Sequence, residues 1–345
     1  MVSDFNFVMY PIIRKALFAA SPETAHGLAL DALRLAHSVG ATRLVCKAQD
    51  QPVKVMGLNF PNPLGMAAGM DKNGDYIDAL GDLGFGFIEI GTVTPRPQKG
   101  NPKPRVFRIN KASAMINRLG FNNKGVDHLV ARAVQRAYQG ILGINIGKNA
   151  DTPIERAVDD YLFCFERVYS VADYITINIS SPNTKNLRDL QSEEALNNLL
   201  GKLARRRAEL ADTHDKFVPV AVKVAPDLTE AAIDAIATIV TKHKIDGVIA
   251  TNTTLDRSAI KGLQHAEEAG GLSGNPLREK ADGVLARFKT VLPSEVALIG
   301  VGGISSGKDA ARKLALGANL VQFYTGFVYR GPGLISECLE AIAPA

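Results

Sequence analysis

From residue 64 onward the chain alternates short apolar runs with helical segments, and this alternation limits the fold more than any other feature. The runs are 64–68 (LGMAA), 87–91 (FIEIG), 142–147 (LGINIG), 174–179 (YITINI), 219–224 (PVAVKV), 247–251 (GVIAT), 297–302 (ALIGVG) and 320–324 (LVQFY). They are apolar on both sides of the pleat, the pattern of parallel strands buried on two faces. Eight strand–helix units predict an α/β fold, a (β/α)8 TIM barrel, over a doubly wound sheet. No G-x-G-x-x-G follows the first run, which counts against a Rossmann arrangement. With 345 residues and 46% apolar composition, the chain has ample material for one such core.

Residues 1–50 read as a small N-terminal helical extension and 51–345 as the barrel domain. Pro11 to Phe18 is a short amphipathic segment, and Ser21-Pro22-Glu23 opens a second helix with a serine cap and proline in its first turn. In that helix Ala25, Leu28, Ala32, Leu35 and Val39 follow a three-four spacing while Leu30 and Leu33 widen the apolar face. Such a face needs cover on more than one side, from the barrel, a membrane surface or a partner. Val53–Val55 and Leu58–Phe60 flank Gly57 as a small hairpin.

The charge balance, 40 Lys plus Arg against 35 Asp plus Glu, suits an anionic ligand. Its only basic run, Arg205-Arg206-Arg207, lacks interleaved aromatics, so no nucleic-acid partner is expected. Cys46, Cys164 and Cys338 have no metal-ligand spacing, so neither a metal nor a disulfide framework is expected. No run has the roughly 18 apolar residues of a membrane span. Arg14 and Lys15 break the first apolar run, which argues against a secretory signal, and Asp4 argues against a transit peptide.

In a barrel of this kind, functional groups gather just after the strands. After the first come Ala67, Ala68, Gly69, Met70, Asp71 and Lys72; after the second, Thr92 and a long loop to Asn117-Arg118-Leu119-Gly120-Phe121. The third carries Asn145, the fifth Lys223, and the sixth ends in Thr251-Asn252-Thr253 before a glycine run closing at Gly274. Glycines to Gly303 follow the seventh, and Tyr324-Thr325 the eighth, where barrels hold phosphate. The residues picked out here include no histidine and no carboxylate pair, Asp71 being their one acid. Amides, lysines and a serine suit gripping a flat heterocycle and an anion, with a cofactor carrying the hard chemistry. Lys223 reads either as a Schiff-base lysine or as a fixed charge beside a flavin. The fourth run ends with Asn178, a buried amide that needs a partner, then Ser181-Pro182-Asn183, which is either a plain turn or a rigidly aimed hydroxyl. Thr184 stands three residues on as a proton relay.

Taken together, MAAGMDKNG, IEIGTVTPRPQ, NRLGFNN, GINIGKN, INISSPNT, KVAPDL, TNTT, GGLSG, GVGGI and QFYTG resemble the dihydroorotate dehydrogenase family along nearly the whole chain. Ser181, where class 1 members carry cysteine, and the N-terminal helices resemble the quinone-linked class 2. The resemblance implies one FMN per chain, oxidation of (S)-dihydroorotate to orotate in pyrimidine synthesis, and ubiquinone or menaquinone as acceptor. It implies a peripheral enzyme held by its N-terminal helices on the cytoplasmic face of the inner membrane. FMN is then expected at Ala67, Ala68, Gly69, Met70, Asp71, Thr92, Asn145, Asn178, Lys223, Thr251, Gly274, Gly303, Tyr324 and Thr325. Substrate is expected at Lys72, Asn117, Arg118, Leu119, Gly120, Phe121, Asn178, Asn183, Asn252 and Thr253, with Ser181 taking the carbon 5 proton. His26 and Arg108 are the implied quinone contacts. The alternatives are a soluble flavin dehydrogenase using fumarate or NAD, a flavin-free lyase built on Lys223, and a membrane-surface binder without catalysis.

Overall fold

The structure, a computed structural model, describes the backbone of residues 2–44 and 50–343, with side chains from residue 10 to 42 and from residue 50. Cys46 lies outside the described residues; Cys164 and Cys338 are buried free thiols. Two helices come first, α1 (Val2–Ala19) and α2 (Pro22–Ser38). The strands then run β1 (Val53–Val55), β2 (Leu58–Phe60), β3 (Leu64–Met66), β4 (Phe87–Val93), β5 (Val106–Ile109), β6 (Ala114–Asn117), β7 (Ile141–Ile146), β8 (Tyr174–Asn178), β9 (Val220–Val224), β10 (Gly247–Ala250), β11 (Gly271–Gly274), β12 (Ala297–Val301) and β13 (Leu320–Phe323). Eight of them close a parallel barrel in the order β3-β4-β7-β8-β9-β10-β12-β13, with β13 pairing back onto β3. These are the eight apolar runs, with ends within two residues of expectation.

Successive side chains in a strand point to opposite faces, so each barrel strand sends one set outward and one inward. The outward set, including Ile88, Ile90, Leu142, Ile144, Ile175, Ile177 and Val222, is buried beneath the helical layer. The inward set starts as an apolar plug of Phe87, Ala221, Ile249, Ile299 and Leu320. The hairpin β1–β2 closes that end, its Phe60 ring standing edge-on to Phe87 at 5.2 Å. Gly143 makes room there, since a Cβ on it would lie 2.1 Å from the Tyr174 ring. One pleat further along, the interior turns polar: Glu89, Asn145, Thr176, Lys223 and Gln322 are all buried.

Two parts of the fold differ from the sequence reading. The stretch read as one long loop after β4 contains β5 and β6, which form an antiparallel sheet with β11 over the barrel mouth. β11 carries a single bulky apolar residue between glycines, so its strand character comes from a distant partner and leaves no local period. The second difference is α1, which begins well before Pro11 and holds that proline within it.

Ser21 caps α2, its Oγ accepting the Thr24 N–H at 3.4 Å. Tyr10 donates to the Val328 carbonyl at 2.7 Å and Arg14 to the Tyr329 carbonyl at 2.7 Å, fastening α1 to the barrel's last turns. Ala25 and Leu30 of α2 are buried against the barrel, while Leu28 (56%), Leu35 (66%) and Val39 (72%) remain exposed. The wide apolar face is therefore split between a packed side and an uncovered one.

Candidate active site

The sequence ends β8 on Asn178 and follows it with Ser180-Ser181-Pro182. The structure makes that amide the junction of a hydrogen-bonded chain. Asn178 Nδ2 donates to Thr92 Oγ1 at 2.9 Å and to Asn145 Oδ1 at 3.1 Å, and Thr92 Oγ1 donates to the same oxygen at 2.5 Å. Asn178 Oδ1 accepts from Ser180 N–H at 3.3 Å and from Asn252 Nδ2 at 3.4 Å; Asn252 also donates to Ser180 Oγ at 3.0 Å. Further out, Asn183 Nδ2 donates to Asn117 Oδ1 at 3.2 Å. Buried polar atoms need partners, so this chain accounts for the amides crowded at the strand ends.

These groups face a cavity of about 1150 Å3 including its open mouth, on the carboxyl side of the barrel. Ser181 lines it, buried, with Oγ accepting the Asn183 N–H at 3.2 Å, which orients the hydroxyl without consuming its proton. Thr253 Oγ1 and Thr184 Oγ1 are buried without a protein partner among the described residues, the former on the lining. Lys223 lines the floor; burial lowers its pKa and the Glu89 carboxylate opposes that. Lys72 also lines the cavity, pushed down to about 8 by burial, with Glu23 and Asp71 raising it and Arg105 lowering it. Asp71 is spent locally: its carboxylate accepts the N–H groups of Asn73, Gly74, Asp75 and Tyr76 at 2.7–3.1 Å, fixing the loop that carries Lys72.

After β12, Gly303 has φ +77, and a Cβ there would lie 2.4 Å from Arg278 Cα. Only glycine fits, and the backbone stays bare where an anion is expected. Tyr324 closes over Gly69, whose added Cβ would lie 3.5 Å from its ring.

Of the residues expected for cofactor and substrate, Ala67, Ala68, Gly69, Lys72, Thr92, Asn117, Leu119, Gly120, Phe121, Asn178, Asn183, Lys223, Thr251, Asn252, Thr253, Gly274, Gly303, Tyr324 and Thr325 line this one cavity. Asn145 sits one layer beneath it, and Met70 packs into the core. Arg118 turns away, paired with Glu268 at 2.7 Å and stacked over Phe107 at 4.6 Å. His26 and Arg108 do not line it. Arg108 lies over the Phe18 ring at 4.3 Å and donates to the Ala20 carbonyl at the α1–α2 junction, with Nη1 buried and without a partner among the described residues. Burial and the nearby Lys72 push His26 down to about 4, so it is neutral at pH 7. The sequence reading missed Val106, Met115 and Ser273, which reach the lining from the unforeseen antiparallel sheet. It also passed over Glu89, although an acid inside an apolar strand is itself a signal.

The family model for dihydroorotate dehydrogenase matches residues 51–344. A dihydroorotate dehydrogenase (quinone) of Bordetella parapertussis is 58% identical over 341 residues, covering 98% of each chain. That of Dechloromonas aromatica is 56% identical over 340 residues, 97% of this chain and 98% of its own. The chain belongs to the dihydroorotate dehydrogenase family. A solved member, the DHODH of Eimeria tenella in complex with ferulenol, superposes with a TM-score of 0.84 at 36% identity, over 93% of this chain and 90% of its own. Members of this family are flavoenzymes, and the cavity suits such a group. It offers amide, hydroxyl and ammonium donors, an unpartnered Thr253 hydroxyl and a bare glycine turn.

Proposed function

We infer that the chain oxidises (S)-dihydroorotate to orotate in pyrimidine synthesis, holding one FMN in the cavity and passing electrons to a membrane quinone. The observation that carries this is the convergence of Ser181, Lys72 and the amides of Asn117, Asn178, Asn183 and Asn252 on one cavity. The bound flavin supplies the two-electron acceptor that no side chain provides. Lys72 pairs with the substrate carboxylate, and the asparagine amides match the donor and acceptor edges of the ring. Ser181 takes the carbon 5 proton. Its Oγ is oriented by the Asn183 N–H, and Thr184 offers a second hydroxyl for onward transfer. Lys223 supplies a fixed cation where negative charge develops. Leu119, Gly120 and Phe121 wall the cavity against water.

Residues 1–50 serve the quinone and 51–345 the chemistry in this reading. The exposed Ile12, Ile13, Leu28, Leu35 and Val39 form an apolar surface suited to lying on a bilayer at the cytoplasmic face. No helix among the described residues is long and apolar enough to cross one. In this reading Arg108, bonded to the Ala20 carbonyl between α1 and α2, and His26 of α2, beside Met70 and Lys72, are the quinone contacts. The test is the absorbance spectrum of the purified protein. Flavin bands should bleach on anaerobic addition of dihydroorotate and return on adding quinone. A colourless protein, or bands that dihydroorotate leaves unchanged, overturns the reading.

A further inference from the structure

Below the cavity floor, Glu89 is fully buried inside the barrel and touches neither the cavity lining nor any ammonium by hydrogen bond. Its carboxylate accepts four bonds. Asn145 Nδ2 reaches Oε1 at 2.8 Å; Tyr174 Oη, Gln322 Nε2 and Thr176 Oγ1 reach Oε2 at 2.9, 3.0 and 3.2 Å. Gln322 Nε2 also donates to Tyr174 Oη at 3.2 Å, which commits the tyrosine proton to Glu89. An ionised carboxylate is acceptor-only with about four lone-pair sites, so this donor set fills it. Four strands, β4, β7, β8 and β13, thus hold one negative charge on the barrel axis. Lys223 stands one pleat closer to the cavity, paired in register with Asn178 and following Ala221, the partner of Thr176. Burying an ammonium without a counter-charge is costly, and among the described residues the Glu89 carboxylate is the charge that opposes burial at Lys223. The other titratable groups on these elements and on the lining are Tyr174, committed as a donor to Glu89, Tyr324 and Lys72.

We propose that Glu89 is a positioning residue for the flavin reaction: held by its four donors, it acts through Lys223, keeping that ammonium charged beside the cofactor. The inference rests on the flavin reading above. Through Asn145 the same carboxylate also sets the amide chain, because a donor turned toward Glu89 leaves Asn145 Oδ1 to accept from Thr92 and Asn178.

The test is the midpoint potential of the bound flavin, measured from about pH 6 to about 9 in flavin-loaded wild type, Glu89→Gln and Glu89→Asp. Glutamine keeps the shape, and Gln322, whose Oε1 has no partner among the described residues, can turn its amide to accept from the new NH2. Without the carboxylate, Lys223 loses its proton at lower pH, and a flavin that loses its neighbouring cation becomes harder to reduce. The glutamine variant should therefore show an added downward transition absent from wild type. Across it the reduction equilibrium should fall about tenfold, ~30 mV for a two-electron couple. Aspartate retains the charge with altered hydrogen bonds and should follow wild type. A glutamine profile parallel to wild type, or an aspartate profile as altered as that of glutamine, overturns the inference. A glutamine variant that does not fold leaves the decision to aspartate, which must then keep the wild-type profile. A wild-type protein without flavin would instead overturn the functional reading itself.

Discussion

Lys72 makes the affinity for dihydroorotate and orotate pH-dependent in a way the structure specifies. Burial lowers its pKa from the ordinary lysine value to about 8, against the raising effect of Glu23. The ligand's carboxylate pairs with the charged form, so affinity is present below about pH 8 and is lost as the pH rises through it. A group with that midpoint is ~90% protonated at pH 7 and ~10% at pH 9, so orotate should bind about tenfold more weakly at the higher pH. The dissociation constant, read from the perturbed flavin spectrum, should be flat to about pH 7.5 and then climb. In Lys72→Met affinity should be low and the climb absent. That variant keeps any contribution from the ionisation of ligand or flavin, so the difference between the two profiles isolates Lys72. Glu23 lies on α2, bound at both oxygens by the buried Arg105 at 2.9–3.2 Å. Glu23→Gln removes the carboxylate that raises the Lys72 pKa most and leaves Arg105 uncompensated, so the climb should begin at lower pH. A wild-type constant unchanged between pH 7 and 9, or a Lys72→Met variant with the same climb, would refute the assignment.

Ser181→Ala should slow flavin bleaching by dihydroorotate by about 10²–10⁴-fold, the usual worth of a positioned base, with orotate affinity within a few-fold. Anaerobic stopped-flow spectroscopy decides it, and a rate near wild type removes Ser181 from the mechanism. Ser181→Cys should keep more activity than alanine, with its profile moved to lower pH because a free thiol titrates near ~8.5. Gly303→Ala places a Cβ 2.4 Å from the Arg278 backbone at φ +77. The backbone conformation alone costs about 1–2 kcal/mol, so flavin should be held about tenfold more weakly or worse; a full flavin-to-protein ratio after gel filtration would contradict it. Leu28→Ser with Leu35→Ser should weaken vesicle binding and turnover with a long-tailed quinone, since both residues are more than half exposed. Dihydroorotate should still bleach the flavin within about twofold of the wild-type rate, because neither side chain reaches the cavity; equal loss of both half-reactions would count against the division of labour.

The barrel was legible because its information is local. Parallel strands covered on both faces must be apolar throughout, so each of the eight announces itself within five or six residues, and the loops after them carry the chemistry wherever the barrel closes. The hairpin at residues 53–60 and the serine cap of α2 are local in the same sense. The antiparallel sheet over the mouth is not. Gly271–Gly274 is a strand only because Asn117 to Ala114 lies alongside it, and no period in GLSG records that pairing.

The site divides along the same line. Ser181, Lys72, Asn183 and Asn252 could be named because each sits in a loop that follows a barrel strand, and Asn178 because it ends one, and all of these line the cavity. Asp71 and Arg118 sit in equally suggestive loops, yet the first spends its oxygens on its own backbone and the second reaches back to Glu268, Ala269 and Pro104. A side chain's type gives its repertoire of partners; which partner it takes depends on distances that form only when the barrel closes. Glu89 shows the converse. Its four donors, Asn145, Tyr174, Thr176 and Gln322, come from three strands spread between residues 141 and 323, and no spacing in the sequence ties them to it. What the sequence does hold is the anomaly of one acid in FIEIG and one lysine in PVAVKV, both in otherwise apolar runs. Each alone is a charge too costly to bury. Two such anomalies of opposite sign, both buried inside one barrel, act on each other through its interior without a direct hydrogen bond, and the coincidence of their signs is readable before any coordinates are known.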